Sequence, residues 1–230
     1  MPKGRRDTIE GWTALALTAA AAGLYAVAYQ LPFWKFTLHA PQYPDGLNLI
    51  IYLDHLGGRV REINGLNHYI GMEKLQNAAQ FERAFSHWGV ALVAVLSAGF
   101  VIYGGRKAKW LAVGAAAALP LGFIADTFYW LYRFGHNLSP RAPIDFPSFT
   151  PSMFGAGKIG QFSTAAGPAA GFWLTLVALG LVAGAVWLKH SICSRCSRAE
   201  DCSTDCPRVV VRSDPADNQE SMAATPREAT

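Results

Sequence analysis

Five of the six histidines in this 230-residue chain, His39, His55, His68, His87 and His136, fall in two stretches, residues 33–87 and 133–168, and only His190 lies elsewhere. Imidazole is the commonest metal ligand and titrates near neutral pH, so this crowding marks where chemistry is to be sought. In Asn64-Gly-Leu-Asn-His-Tyr-Ile-Gly-Met72, His68 and Met72 are four residues apart, which puts both on one face if the segment is helical. Imidazole with thioether suits copper, particularly Cu(I), because thioether sulfur is soft. The plainer alternative is a surface histidine beside a core methionine. His39 lies in Leu38-His-Ala-Pro-Gln-Tyr-Pro44, where two prolines stiffen the chain and hold His39 and Tyr43 at a defined angle. It is a further copper candidate, although a lone histidine in such a segment is more often structural.

His87 and His136 fall where apolar runs meet polar loops, a depth at which paired imidazoles hold a haem. The chain has no Cys-x-x-Cys-His attachment motif, so that haem is a non-covalent b type. The four cysteines, Cys193, Cys196, Cys202 and Cys206, crowd into the tail as Cys-x2-Cys-x5-Cys-x3-Cys-Pro. Four thiolates so close can wrap one centre: the closing Cys-x3-Cys-Pro suits an iron–sulfur cluster, while the long middle spacing leaves tetrahedral zinc an equal contender. Free thiols in a reducing compartment are the bland alternative. Asp126 stands alone among acids inside an apolar run and needs a polar partner; Arg133, two helical turns on, is placed to supply one, as a charge pair or as part of a proton or ion path.

The elements that position these residues follow from composition. The chain is 51% hydrophobic and 16% charged, against roughly 25% charged in soluble domains, which points to lipid as its solvent. Four apolar runs, residues 11–32, 88–104, 110–132 and 169–188, are near the length that crosses a bilayer core, with Trp or Tyr near most of their ends. Lys3, Arg5 and Arg6 precede the first, Arg106, Lys107 and Lys109 fill the connection at residues 105–109, and Lys189, Arg195 and Arg198 follow the fourth. By the positive-inside rule these clusters are cytoplasmic. The chain is then a multi-pass protein of a bacterial inner membrane, with residues 1–10 and the largely disordered tail at 189–230 in the cytoplasm. Residues 33–87 and 133–168 face the periplasm. A cleaved export signal is the alternative for the first run, but the run is longer than a usual signal core and its removal leaves an odd number of spans. The net charge of +4 sits in short clusters beside apolar runs, which gives no nucleic-acid footprint.

The expected fold is integral membrane and mainly α: four transmembrane helices with a small α+β periplasmic cap between helices 1 and 2. Within the cap, residues 35–40 and 47–54 alternate as half-buried strands about a turn at Pro44, Asp45 and Gly46, and residues 59–63 follow a second turn as a third strand. Residues 72–85 read as an amphipathic helix feeding the second span. The second connection, with Pro140, Pro143, Pro147 and Pro151, is expected to form little regular ladder and to lie over the cap or the helix ends.

The strings His39-Ala-Pro-Gln-Tyr-Pro-Asp-Gly46, Ile63-Asn-Gly-Leu-Asn-His-Tyr-Ile-Gly-Met72 and Gly135-His-Asn-Leu-Ser-Pro-Arg-Ala-Pro143 carry a resemblance. Over approximately residues 12–188 the chain resembles the uncharacterised multi-span membrane proteins encoded in nitrous oxide reductase gene clusters, beside a copper chaperone lipoprotein and transporter genes. That resemblance implies an accessory role in maturing, or supplying electrons to, a periplasmic copper reductase, in company with its other accessory proteins. The matched positions are His39, Tyr43, His68, Tyr69, Met72 and His136; the cysteine tail is not among them. Copper handling or docking is thus the leading expectation. A membrane electron carrier using haem or an iron–sulfur centre is the second, and a metal-free assembly subunit the third. No hydrolase or transferase motif is present.

Overall fold

The computed structural model describes residues 3–105, 108–144, 147–159 and 162–194. Helices α1 (Lys3–Tyr29), α3 (Gln80–Tyr103), α4 (Trp110–His136) and α5 (Ala170–Ser194) form a bundle, and each holds a stretch long and apolar enough to cross a membrane. Their outward faces are as apolar as their inward ones: Trp12, Leu92, Val95, Leu121, Trp173 and Trp187 are all more than half exposed. A helix apolar all round is satisfied by acyl chains rather than water.

Small residues set how closely the helices approach. Ala14, Thr18, Ala21, Tyr25 and Ala28 recur at steps of four and three along α1, and they meet Thr175, Ala178, Val182 and Ala185 of α5 in one buried seam. The hydroxyls in the seam are satisfied within their own helices, Thr18 by the Ala14 carbonyl and Thr175 by that of Phe172. Pro120 lies buried inside α4 and has no N–H to offer the carbonyl of Ala116, four residues earlier. The Tyr25 hydroxyl donates to that carbonyl across the bundle at 3.5 Å, a long bond. At the other end, Lys189 Nζ donates to the carbonyls of Val101 and Ile102, closing the C-terminal turn of α3.

The opposite end of the bundle carries a five-stranded antiparallel sheet in the order β3-β2-β1-β5-β4. β1 (Trp34–Ala40), β2 (Tyr43–Ile51) and β3 (Leu56–Gly58) come from the first connection, and β4 (Gly155–Ile159) and β5 (Phe162–Pro168) from the second. This corrects the expectation that the second connection forms little regular ladder: between Pro151 and Pro168, at the very end of β5, there is no proline, and the residues in that interval keep their N–H donors. Central β1 pairs with both halves, from Trp34↔Ile51 on one side to Trp34↔Pro168 on the other.

Three local expectations also shift. The β1–β2 turn falls at Pro41 and Gln42, ahead of the Pro44-Asp45-Gly46 site, which is absorbed into β2 with Gly46 at φ +74°. The third strand is Leu56–Gly58, not residues 59–63, because Gly58 (φ +84°) turns the chain at a point where a Cβ would run into the Asn48 carbonyl. Residues after it adopt the helical period as α2 (Val60–Tyr69), with Ile63 and Asn67 buried on one face. The segment expected as an amphipathic helix divides into a 3-10 turn at Leu75–Asn77 and the first turns of α3, which begins at Gln80 and runs on without a break past residue 88. α4 likewise passes residue 132 and α5 passes residue 188.

Trp34 joins sheet to bundle. Wholly buried, it packs with Phe33, Ala28, Met153 and Phe172, meets Phe154 and Phe172 edge-on at 5.0 and 5.4 Å, and donates its indole N–H to the Met153 carbonyl at 3.0 Å.

Candidate functional site

The string Leu66-Asn-His-Tyr-Ile-Gly-Met72 ends α2 with a left-handed glycine cap. Gly71 sits at φ +80°, its N–H reaches the His68 carbonyl at 3.3 Å, and the Met72 N–H reaches the Asn67 carbonyl at 2.9 Å. This is the paired bonding of a Schellman motif, and it satisfies carbonyls the helix end otherwise leaves open. The cap also binds the second connection: Ser139 N–H donates to the Gly71 carbonyl at 2.8 Å, and Ile144 N–H to that of Tyr69 at 3.1 Å. A Cβ on Gly71 would stand 2.8 Å from the Ser139 carbonyl oxygen.

The cap separates the pair that spacing put together. Because the helix stops at Tyr69, His68 and Met72 do not share a helical face: His68 is exposed, while Met72 is half-buried and lines a cavity. The other histidines stand apart from one another in their contacts. His39, exposed on β1 opposite Ser163, lies over Gly46, where a Cβ would come within 3.0 Å of its ring. His55 pairs with Asp54 at 2.6 Å and stacks on Tyr52. His87 is exposed beside Trp88, with ring centres 5.2 Å apart. His136 is exposed, stacks on Tyr132 at 3.9 Å and directs Nδ1 at the Tyr132 carbonyl at 2.9 Å. Among the described residues no group of three or more His, Cys, Asp or Glu gathers in a metal-holding arrangement. Cys193 falls in the last turn of α5, and Cys196, Cys202 and Cys206 lie outside the described residues.

The pairing of Asp126 with Arg133 is also corrected. Seven residues separate them by ~10 Å along the axis, beyond the reach of an aspartate. The Arg133 guanidinium instead lies over the Trp130 ring, 5.1 Å from its centre, and donates to the Tyr129 hydroxyl at 3.3 Å.

Asp126 faces a cavity of about 500 Å³ that the sequence did not disclose. Its roof is the sheet, through Phe36, Leu38, Leu47, Leu49 and Thr164; its sides are α2 with Met72, and the cap-end turns of α3 and α4. The volume falls in the range of small-molecule sites, and the walls are mainly aliphatic and aromatic. Its charged groups are Glu82, Arg83 and Asp126. Arg83 is engaged by the carbonyls of Gln76 and Ala79. Glu82 stands close enough for its charge to act on Asp126, and the Trp130 indole N–H acts on the same carboxylate without meeting hydrogen-bond geometry. None of the five cap-end histidines lines this space. Asp126 and Met72 are the residues singled out from the sequence that line it; the walls supplied by β1, β2, α2, α3 and β5 come from segments more than 30 residues from Asp126, for which no spacing rule exists. No family model matches the chain, and no curated protein matches it.

Proposed function

We propose that the protein is integral to the bacterial inner membrane, with four crossings, cytoplasmic termini and the five-stranded cap in the periplasm, and that it serves a nitrous oxide reductase system as an accessory docking factor. The supporting observation is the stitching of Ser139 to Gly71 and of Ile144 to Tyr69. Two of the three strings that carry the resemblance are thereby hydrogen-bonded together, through Ser139 and Gly71, and His68, Tyr69, His136 and Arg141 are exposed along them. Exposed aromatic and cationic side chains on a fixed backbone are the usual anchors of a protein interface. Docking is favoured over copper ligation by a His68–Met72 pair, because the cap points one residue outward and the other into the cavity wall.

The test is nitrous oxide reduction by whole cells carrying a His68→Ala, Tyr69→Ala, Arg141→Ala protein at wild-type membrane level. Reduction should fall several-fold. A strain lacking the protein altogether that reduces nitrous oxide at the normal rate, with a fully copper-loaded reductase, would remove the proposal.

A further inference from the structure

The cavity beneath the sheet continues between α3 and α4, and the residues that line it there fall on one face of each helix. Glu82, Gly89 and Val93 are spaced by seven and four along α3, and Ala118, Gly122 and Asp126 by four and four along α4. The two helices are packed in opposite directions, so both carboxylates stand at the end nearer the sheet. The small residues lie toward the middle of the span, Gly89 about 10 Å deeper than Glu82. Gly89, Ala118 and Gly122 are exposed, and at each of the two glycines a Cβ would meet no neighbouring atom within 4 Å. Small residues between spanning helices usually let the backbones close on one another; here they leave a groove.

The groove is acidic at its sheet end and apolar below. Arg83, the one cation in the lining, is held by the Gln76 and Ala79 carbonyls, so the balance at the sheet end is negative. In the bilayer placement proposed above, the apolar end lies at the depth of acyl chains and the carboxylates lie toward the outer headgroups. We infer that the groove seats one lipid of the outer leaflet, with an acyl chain along Gly89, Val93, Ala118 and Gly122 and a primary ammonium of the headgroup at Glu82 and Asp126. Where water is partly excluded, two carboxylates attract an ammonium and repel a head that is only anionic, and an alkyl chain asks no hydrogen bond of the walls. The inference rests on the bilayer placement but not on the docking partner.

The experiment is native mass spectrometry of the full chain, reconstituted in vesicles of phosphatidylethanolamine and phosphatidylglycerol in equal amounts and then extracted in mild detergent. One phosphatidylethanolamine should remain on each chain, preferred over phosphatidylglycerol by about tenfold. Gly89→Leu and Gly122→Leu put side chains into the open groove and should each strip that lipid. Both should melt no lower than wild type, since leucine favours a helix over glycine. Gly23→Leu, at an α1 glycine with equally open surroundings away from the groove, should keep the lipid. Glu82→Gln should keep a bound lipid but bring the preference close to parity. A chain that carries no lipid, a lipid retained unchanged in both groove variants, a preference for phosphatidylglycerol, or a dimer that Gly122→Leu dissociates would each overturn the inference. Topology is measured separately, so a failure here leaves the membrane placement standing.

Discussion

The indole N–H of Trp34 donates to the backbone carbonyl of Met153 at 3.0 Å, joining segments 119 residues apart at a point shielded from solvent. The bond adds a buried side-chain tie to the β1–β5 ladder that joins the two chain connections into a single cap. Trp34→Phe keeps most of the ring contacts with Phe123, Phe154 and Phe172 but leaves that carbonyl unmet. The expected loss is about 1–3 kcal/mol, read as a lower melting temperature in detergent, with Trp34→Ala losing more through the cavity it opens.

Gly71 is the second joint. A side chain there opposes both the φ of +80° and the 2.8 Å approach of the Ser139 carbonyl. Gly71→Ala should destabilise by more than about 1 kcal/mol and expose the 139–144 segment to protease, while leaving insertion of the four helices unchanged. A proteolysis pattern identical to wild type would show that the cap of α2 does not hold that segment.

Within the bundle, the bond from Tyr25 to Ala116 exists because Pro120 supplies no N–H. Tyr25→Phe should cost about 0.5–1 kcal/mol in the native background and close to nothing in a Pro120→Ala background, where the helix recovers its own donor. Thermal melts of the four proteins in this cycle measure the coupling. Equal costs in both backgrounds would assign Tyr25 a packing role alone.

His68 and Met72 should part company under mutation. His68 is exposed, so His68→Ala should move stability by less than about 0.5 kcal/mol. Met72 is half-buried in the cavity wall, and Met72→Ala should destabilise by roughly 1–2 kcal/mol, with Met72→Leu restoring most of it. Loss of Cu(I) binding in Met72→Leu together with His68→Ala, and in no other histidine variant, would restore the shared copper site.

The helices were legible because twenty-residue apolar runs leave little choice of structure, and their true ends were less so because α3, α4 and α5 run on through residues that are polar but still helix-compatible. β1 and β2 are announced by alternation, whereas β4 and β5 are hidden behind four prolines and built mostly from glycine, serine, threonine and alanine, which carry little strand preference beyond threonine, with Ile159 and Phe162 as their large strand-forming residues. The four-residue spacing puts His68 and Met72 on one face only on a continuing helix, and Gly71 between them is the sign that the helix stops. The cavity brings Asn67, Asp126 and Thr164 together from three distant segments, a relation that belongs to the sheet register and the packing of α2.

The placement of the cap outside the cytoplasm is tested most directly by a membrane-impermeant maleimide. A Gln42→Cys protein, its four native cysteines replaced by serine, puts the thiol in the exposed β1–β2 turn, and the wild-type chain reports on the tail. In intact spheroplasts the Gln42→Cys thiol should label at once and the tail cysteines only after lysis. Labelling of the tail in intact spheroplasts, with the Gln42→Cys protein protected until lysis, would contradict it.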